Sequence, residues 1–257
     1  MTQGNGRQDH PAISGNPAIS VVVPVRNEAG NIGPLVAEIA TALSGRAFEI
    51  VYVNDGSTDA TEEELRGLML KEPWLRQIRH RQSCGQSAAV RTGVAAARAP
   101  VVVTLDGDGQ NDPAFIPALI GVFEAGAPRI GLVAGQRTGR KATGFKKLQS
   151  RIANGVRSTV LRDGTRDTGC GLKAFRRDVF LALPYFDGLH CFLPALVRRE
   201  GLDVGYVDVV DRPRLRGASN YGMWNRVWVG ILDMAGVWWL IRRKKHIARP
   251  EEITLAR

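Results

Sequence analysis

Residues 101–113 read VVVTLDGDGQNDP, and this stretch decides the fold. The β-branched Val101, Val102 and Val103 with Leu105 form an apolar run, the pattern of a strand buried on both faces of a parallel sheet. The run gives way to Asp106-Gly107-Asp108-Gly109-Gln110, and Asp112-Pro113 closes it. Two carboxylates one residue apart, released by glycines at the strand's carboxyl end, can surround a divalent cation that also binds substrate phosphates. Ligands of open α/β sheets gather at that edge. A plain Asp-Gly turn is the competing reading.

Strand and helix patterns alternate on either side. Residues 19–25 (ISVVVPV) read as a strand, and 31–43 as a helix with apolar positions at Ile32, Leu35, Val36, Ile39 and Leu43. A second strand at 48–53 leads into Asn54-Asp55-Gly56-Ser57. Ser57 or Thr58 is expected to cap the next helix, with Asp59, Glu62, Glu63 and Glu64 at the positive end of its dipole. A short strand follows at 77–80, an Ala-rich helix at 85–99, a helix at 113–124 and a strand at 130–135. This order predicts an α/β fold: a single Rossmann-like domain around a mostly parallel central sheet.

After residue 137 the texture becomes basic, with Arg137, Arg140, Lys141, Lys146, Lys147 and Arg151. A helix is predicted at about 145–161, a strand at 172–175, a helix at 186–200 and a last strand at 202–210. A long helix at 223–243 ends in Arg242-Arg243-Lys244-Lys245. The expected organisation is a disordered lead-in over 1–17, the domain over 18–222, an amphipathic helix over 223–245 and a tail over 246–257.

At 257 residues the chain can bury one full core, and its net charge of +10 favours an anionic partner. Cys84, Cys170 and Cys191 are too widely spaced for a zinc site or disulfide frame, which suits a reducing compartment. The N-terminus lacks the apolar core of a signal peptide. The most apolar segment, 227–241, is interrupted by Asp233 and would reach only about 22 Å as a helix, so no membrane crossing is expected.

Acidic residues close successive strands: Glu28, Asp55, and Asp106 with Asp108. If those strands are neighbours, the carboxylates share one crevice able to hold a base, a ribose and a metal. No G-x-G-x-x-G follows a strand, which argues against a dinucleotide site. Gly139-Arg-Lys-Ala-Thr-Gly144-Phe145-Lys146 misses a P-loop because Phe145 stands where Lys is required.

Pro24-Val-Arg-Asn-Glu28, Asn54-Asp55-Gly-Ser-Thr-Asp59, Gly85-Gln-Ser-Ala-Ala, Leu105 to Pro113, and Asp167-Thr-Gly-Cys-Gly-Leu-Lys173 occur in this order. Together they resemble a family 2 glycosyltransferase of the inverting GT-A fold, in the dolichol/polyprenyl-phosphate mannosyl- and glucosyltransferase branch. The resemblance covers roughly 19–245. It implies that Pro24, Asn27, Glu28, Asp55 and Asp106 bind the nucleotide, and that Asp106, Asp108 and Gln110 hold Mg²⁺ or Mn²⁺. Asp108, Asp167 and Lys173 would act at the reaction centre. Arg137, Lys147, Ser150 and Arg151 would bind the acceptor's phosphate. The implied reaction is inverting transfer of one sugar from a UDP- or GDP-linked donor to a polyprenyl phosphate, serving cell-envelope biosynthesis.

The 223–243 helix puts Trp224, Trp228, Ile231, Ala235 and Trp238 on one stripe, widened by Trp239 and Ile241. Such a stripe either faces a core or, with the terminal cations, lies in an anionic membrane surface. The latter implies a cytoplasmic protein held peripherally on the inner face of the cytoplasmic membrane. Two departures from the pattern stand out: Cys191 occupies a position where the branch usually carries Arg, and Asn220 one where it carries Lys. A non-lipid acceptor, or an impaired homologue that only binds nucleotide, therefore stays open. A nucleic-acid partner is not expected, because basic and aromatic residues do not interleave on strands.

Overall fold

The computed structural model describes residues 16–138, 155, 157, 159–213 and 224–244, with side chains of 224–228 left aside. Seven strands form one sheet: β1 (Ile19–Val25), β2 (Phe48–Asp55), β3 (Leu75–His80), β4 (Val101–Thr104), β5 (Ile130–Arg137), β6 (Lys173–Arg176) and β7 (Asp203–Val209). Their order is β3-β2-β1-β4-β6-β5-β7. All pairings are parallel except those of β6, which runs antiparallel to both β4 and β5. The helices are α1 (Ile32–Ala42), α2 (Thr61–Met69), α3 (Gln86–Ala96), α4 (Ile116–Ala125), α5 (Arg177–Ala182), α6 (Leu189–Arg199) and α7 (Trp224–Arg243).

β1 illustrates why the sheet is covered on both sides. Val21, Val23 and Val25 join Ile32, Leu35 and Ile39 of α1 in one core cluster, while Val22 joins Val90 and Val94 of α3 in the other. Successive side chains of a strand point to opposite faces, so an unbroken valine run needs helices on both.

Several elements depart from their predicted form. Ser57 and Thr58 do not cap α2, which begins at Thr61. The Ser57 hydroxyl instead accepts the Asn27 N–H at 3.0 Å, and the Asn27 side-chain oxygen accepts the Thr58 N–H at 2.8 Å. The N-cap position falls to Ala60, which offers no side-chain acceptor, and Asp59 just before it accepts the Thr61 N–H at 3.1 Å. The predicted 113–124 helix is split into a 3-10 turn at Pro113–Phe115 and α4, because Pro117 in the first turn of α4 has no N–H to continue the ladder. The predicted 145–161 helix lies mostly outside the described residues; Gly155, Arg157 and residues 159–161 are helical.

A buried polar knot ties the sheet's amino-terminal edge. Glu49, 1% exposed, accepts from the Ser20 hydroxyl at 2.7 Å, the Arg98 N–H at 2.7 Å and Arg76 Nη1 at 2.6 Å. Burial pushes this carboxyl up, but the three donors outweigh it and hold the group below its ordinary value. Its stabilisation is therefore present at neutral pH and fades as acid protonates it. Glu49→Ala removes the counter-charge of Arg76, which keeps only the Ala96 carbonyl at 3.1 Å, and strips the Ser20 hydroxyl and the Arg98 N–H of their acceptor, and a loss of about 3–5 kcal/mol is expected in urea unfolding.

Candidate active site

The carboxyl ends of β1, β2 and β4 carry the predicted acidic positions, and the structure gives each a distinct environment. Asp55, at the end of β2, accepts four hydrogen bonds. His80 Nδ1 (2.7 Å) and the Cys84 N–H (2.8 Å) share one oxygen; the Ser83 hydroxyl (2.7 Å) and the Gly85 N–H (3.0 Å) share the other. Burial raises this carboxyl and the four donors more than offset it, so it sits below the ordinary aspartate range. Asp55 thereby fixes the 83–85 turn that launches α3. Among the described residues, Asp55, His80 and Cys84 are the one group of three whose metal-ligating atoms lie within 4.8 Å of one another. Hydrogen bonding accounts for their proximity, since His80 Nε2 is also engaged, by Thr92 Oγ1 at 2.9 Å.

Pro24, Asn27 and Glu28 lie where β1 ends. Asn27 adopts φ 57°, and the Glu28 N–H donates to Thr61 Oγ1 at 3.0 Å while its carboxylate accepts from the Asn31 amide at 2.7 Å. This loop is laced to the 57–64 segment by hydrogen bonds from Asn27, Glu28, Ala29, Gly30 and Gly33 N–H groups to Ser57, Thr61, Asp59 and Glu64.

Asp106 and Asp108 follow β4. The Asp106 N–H donates to Asn111 Oδ1 at 2.9 Å, and its carboxylate accepts from Gln86 Nε2, in the first turn of α3, at 2.8 Å. Asp108 is 8% exposed and accepts the Gln110 N–H at 3.0 Å. Gly107 between them is required by space: a Cβ there would sit 2.3 Å from Val25 Cγ1 and 3.1 Å from the Pro24 carbonyl. Burial first, and the charge of Asp108 second, push the Asp106 carboxyl up to about 6, against the opposing pull of Lys173 and Arg137. A carboxylate pair in this condition fits a divalent cation, which prefers oxygen ligands and removes the repulsion that raises Asp106. Asp106, Asp108 and Gln110 are the residues that would hold it.

Positive charge approaches from the other side. Lys173, 3% exposed at the start of β6, donates from Nζ to the Cys170 carbonyl and lines a pocket with Pro24, Gln86, Asp106, Gly171 and His190. His190 Nδ1 shares a 2.7 Å hydrogen bond with the Ser87 hydroxyl. Burial, and then Lys173, lower His190 to about 4, so its ring is neutral at physiological pH.

Arg137, implied as an acceptor-phosphate ligand, ends β5 with its guanidinium already engaged. Nε and Nη2 form a fork on Asp167 at 2.5 and 2.8 Å, and Nη1 reaches Asp211 at 3.2 Å. Asp167 consequently lies below the usual carboxylate range, its burial outweighed by Arg137. Asp167 and Arg137 thus meet as a pair 30 residues apart in sequence. Lys147, Ser150 and Arg151 lie outside the described residues.

Five contributors escaped the sequence reading. Asp211 accepts from Asn111 Nδ2 at 3.3 Å as well as from Arg137, and the Arg212 N–H donates to the Gln110 carbonyl at 2.8 Å. The 211–212 segment therefore latches the loop after β4. Gln86, Asn111 and His190 also belong to the site. Gln86 and Asn111 stood inside the ordered motifs, but nothing in their spacing announced that they would contact Asp106.

The family model for Glycosyl transferase family 2 matches residues 20–183, which include Glu28, Asp55, Asp106, Asp108 and Lys173. The chain belongs to this family. As a family 2 glycosyltransferase it is 34% identical over 238 residues to a dodecaprenyl-phosphate galacturonate synthase of Rhizobium johnstonii, covering 90% of this chain and 69% of that protein. It is 31% identical over 209 residues to an undecaprenyl-phosphate 4-deoxy-4-formamido-L-arabinose transferase of Edwardsiella ictaluri, covering 80% of this chain but only 63% of the relative. Among solved structures it resembles glucosyl-3-phosphoglycerate synthase from Mycobacterium tuberculosis, crystallised with Mn²⁺, UDP and glucosyl-3-phosphoglycerate. The TM-score is 0.66 at 23% identity, over 86% of this chain and 80% of that one, which establishes a common fold.

Proposed function

We propose that this glycosyltransferase moves a single sugar, with inversion, from a nucleotide-sugar to a polyprenyl phosphate, with a divalent cation held by Asp106, Asp108 and Gln110. The observation that carries the reading is the pair of half-buried Asp106 and buried Asp108, with Lys173 near enough to act on the Asp106 carboxyl, at the carboxyl edge of the sheet. The names of the two relatives, both prenyl-phosphate enzymes, support the acceptor class.

Cleaving a glycosyl–diphosphate bond leaves a departing diphosphate whose charge must be offset, and a bound Mg²⁺ or Mn²⁺ supplies that as a Lewis acid. The chain's own residues do the rest. Gln86 and Asn111 orient Asp106, the Asp55-pinned turn and the Pro24–Asn27–Glu28 loop form the walls for the base, and Lys173 adds fixed positive charge. Arg137 positions Asp167. Lys147, Ser150 and Arg151 receive the acceptor's phosphate. That group is largely dianionic at neutral pH, with a second pKa of about 6 by analogy with phosphoamino acids, so it needs positioning more than a general base.

The same reading puts α7 in an anionic membrane surface, with the protein held peripherally on the cytoplasmic side. No described helix is long and apolar enough to cross a membrane. α7 rests on α6 through Val237, 1% exposed, with Met234, Leu240 and Ile241 beside it. Ile241, one of the two residues that widen the tryptophan stripe, packs at this contact, as the core reading of the stripe has it. Leu232, Trp238 and Trp239 are 70%, 39% and 54% exposed, and Arg242 and Arg243 lie over the two indole rings at 4.3 and 5.9 Å. Aromatic rings beside cations suit a lipid headgroup layer. Replacing Arg242 and Arg243 by Gln is expected to weaken sedimentation with anionic liposomes about 30-fold, at about 1 kcal/mol per charge. Unaltered partitioning would remove the helix from that role.

A screen of labelled UDP- and GDP-sugars against a short polyprenyl phosphate, with and without Mn²⁺, tests the reaction itself. Metal-dependent labelling of the lipid is expected. Labelling of a non-lipid acceptor alone would refute the acceptor class.

A further inference from the structure

The first turn of α3 holds two walls of one pocket. Gln86 donates to the Asp106 carboxylate at 2.8 Å, and Ser87, the next residue, holds His190 of α6. Ser87 is 1% exposed; its hydroxyl accepts the Gly188 N–H at 2.9 Å and shares a 2.7 Å bond with His190 Nδ1. Among the described residues the hydroxyl makes no other hydrogen bond, so its one proton goes to Nδ1. The ring is neutral, kept so by burial and by the charge of Lys173. A neutral imidazole that accepts at Nδ1 carries its proton on Nε2.

That Nε2–H has no recipient in the chain. Among the described residues His190 bonds to Ser87 alone, yet Nε2 is not one of the unpartnered side-chain nitrogens sealed from solvent. It belongs to a half-buried residue that lines the pocket together with Gln86, Asp106 and Lys173, while Val90 and Leu193 add apolar surface. Apolar walls carrying a few convergent polar groups are the usual make-up of a small-molecule site. The phosphates of the reaction are matched by the cation and by basic side chains, and an uncharged N–H adds little to that. A hydroxyl group, which both gives and takes a hydrogen bond, suits a wall that offers a carboxylate acceptor in Asp106 and a neutral donor in His190.

We propose that His190 is a substrate-binding residue whose Nε2–H donates to a hydroxyl oxygen of the nucleotide-sugar, on either the transferred sugar or the ribose. The assignment of that substrate rests on the functional reading above. Two variants each keep half of the imidazole. His190→Asn retains a polar atom near the Nδ1 position for Ser87 and loses the Nε2 donor, whereas His190→Gln puts an amide nitrogen near the Nε2 position and gives up Ser87. Each is titrated calorimetrically, as the full chain in Mn²⁺, with UDP, GDP, UDP-glucose and GDP-mannose. If the hydroxyl is on the sugar, His190→Asn should bind a nucleotide-sugar about tenfold more weakly while its affinity for the bare nucleotide stays within about twofold. If it is on the ribose, both affinities should fall by about tenfold together. In either case His190→Gln should stay within about threefold of wild type, and either result supports the proposal. Wild-type affinities in His190→Asn with only a lower thermal midpoint, or equal losses in both variants, would reduce His190 to a brace for Ser87 and overturn it. Should His190→Asn fail to fold, the imidazole ¹⁵N resonances of the wild-type chain in Mg²⁺ give the same answer, with His190 assigned by difference from His190→Gln. A proton on Nε2 and a shift of that resonance on adding UDP-glucose or GDP-mannose are expected; a proton on Nδ1, or an unmoved resonance in a chain that binds the sugar nucleotide, would overturn the proposal. A wild-type chain that binds none of the four compounds would refute the functional reading and the proposal with it, whereas wild-type binding that His190→Asn retains overturns the proposal alone.

Discussion

Asp108→Asn is expected to lower metal-dependent sugar transfer by about three orders of magnitude, equivalent to roughly 4 kcal/mol of transition-state stabilisation, while the fold persists. Asparagine keeps the shape and can still accept the Gln110 N–H that Asp108 accepts at 3.0 Å. What it removes is one of the two negative charges that would face the proposed cation. The same substitution relieves the repulsion that lifts Asp106, so thermal stability without metal should stay level or rise slightly, although activity collapses. Circular dichroism, a melting curve and Mn²⁺ titration of transfer check all three points. Wild-type turnover in the variant would reject Asp108 as a ligand.

Gly171→Ala is expected to cost about 100-fold in transfer without contacting substrate. A Cβ at this position would sit 2.4, 2.5 and 2.6 Å from the three carboxyl atoms of Asp106. The Asp106 carboxylate must therefore swing away, breaking its 2.8 Å bond from Gln86 and leaving the alignment with Asp108. Displacements of about 1 Å at a reacting centre commonly carry losses of this size. The loss should appear as weaker Mn²⁺ and nucleotide binding in calorimetry, with a modest change in melting temperature. Intact metal affinity would mean that the carboxylate tolerates the methyl group.

The apolar run at 101–105 and the valines of 19–25 were readable as strands because a strand covered on both faces is apolar at nearly every position. Directions were harder to read. Residues 172–175 announce a strand, but their antiparallel course against β4 and β5 depends on a return path that periodicity does not encode. α5 went unseen because its six residues are too few to display a helical period. Within the site, Asp106 and Asp108 were legible because glycines isolate them at a strand end. Asp55 was legible as an acid in the crevice, whereas its four donors, three of them from the 83–85 turn, were not. Arg137 stood in a basic run and looked like a phosphate ligand. Its partners, Asp167 and Asp211, are 30 and 74 residues away, and only folding brings them together. Electrostatic pairing over such distances leaves no local mark in a sequence.

Nucleotide binding by the purified full chain, titrated calorimetrically in Mn²⁺ and again in EDTA, tests the central claim that the Asp106–Asp108 pair presents a cation to the donor's diphosphate. UDP or GDP should bind at least tenfold more tightly with Mn²⁺, and Asp108→Asn should abolish the difference. Equal affinity in Mn²⁺ and EDTA, or no affinity for either nucleotide, would contradict the account.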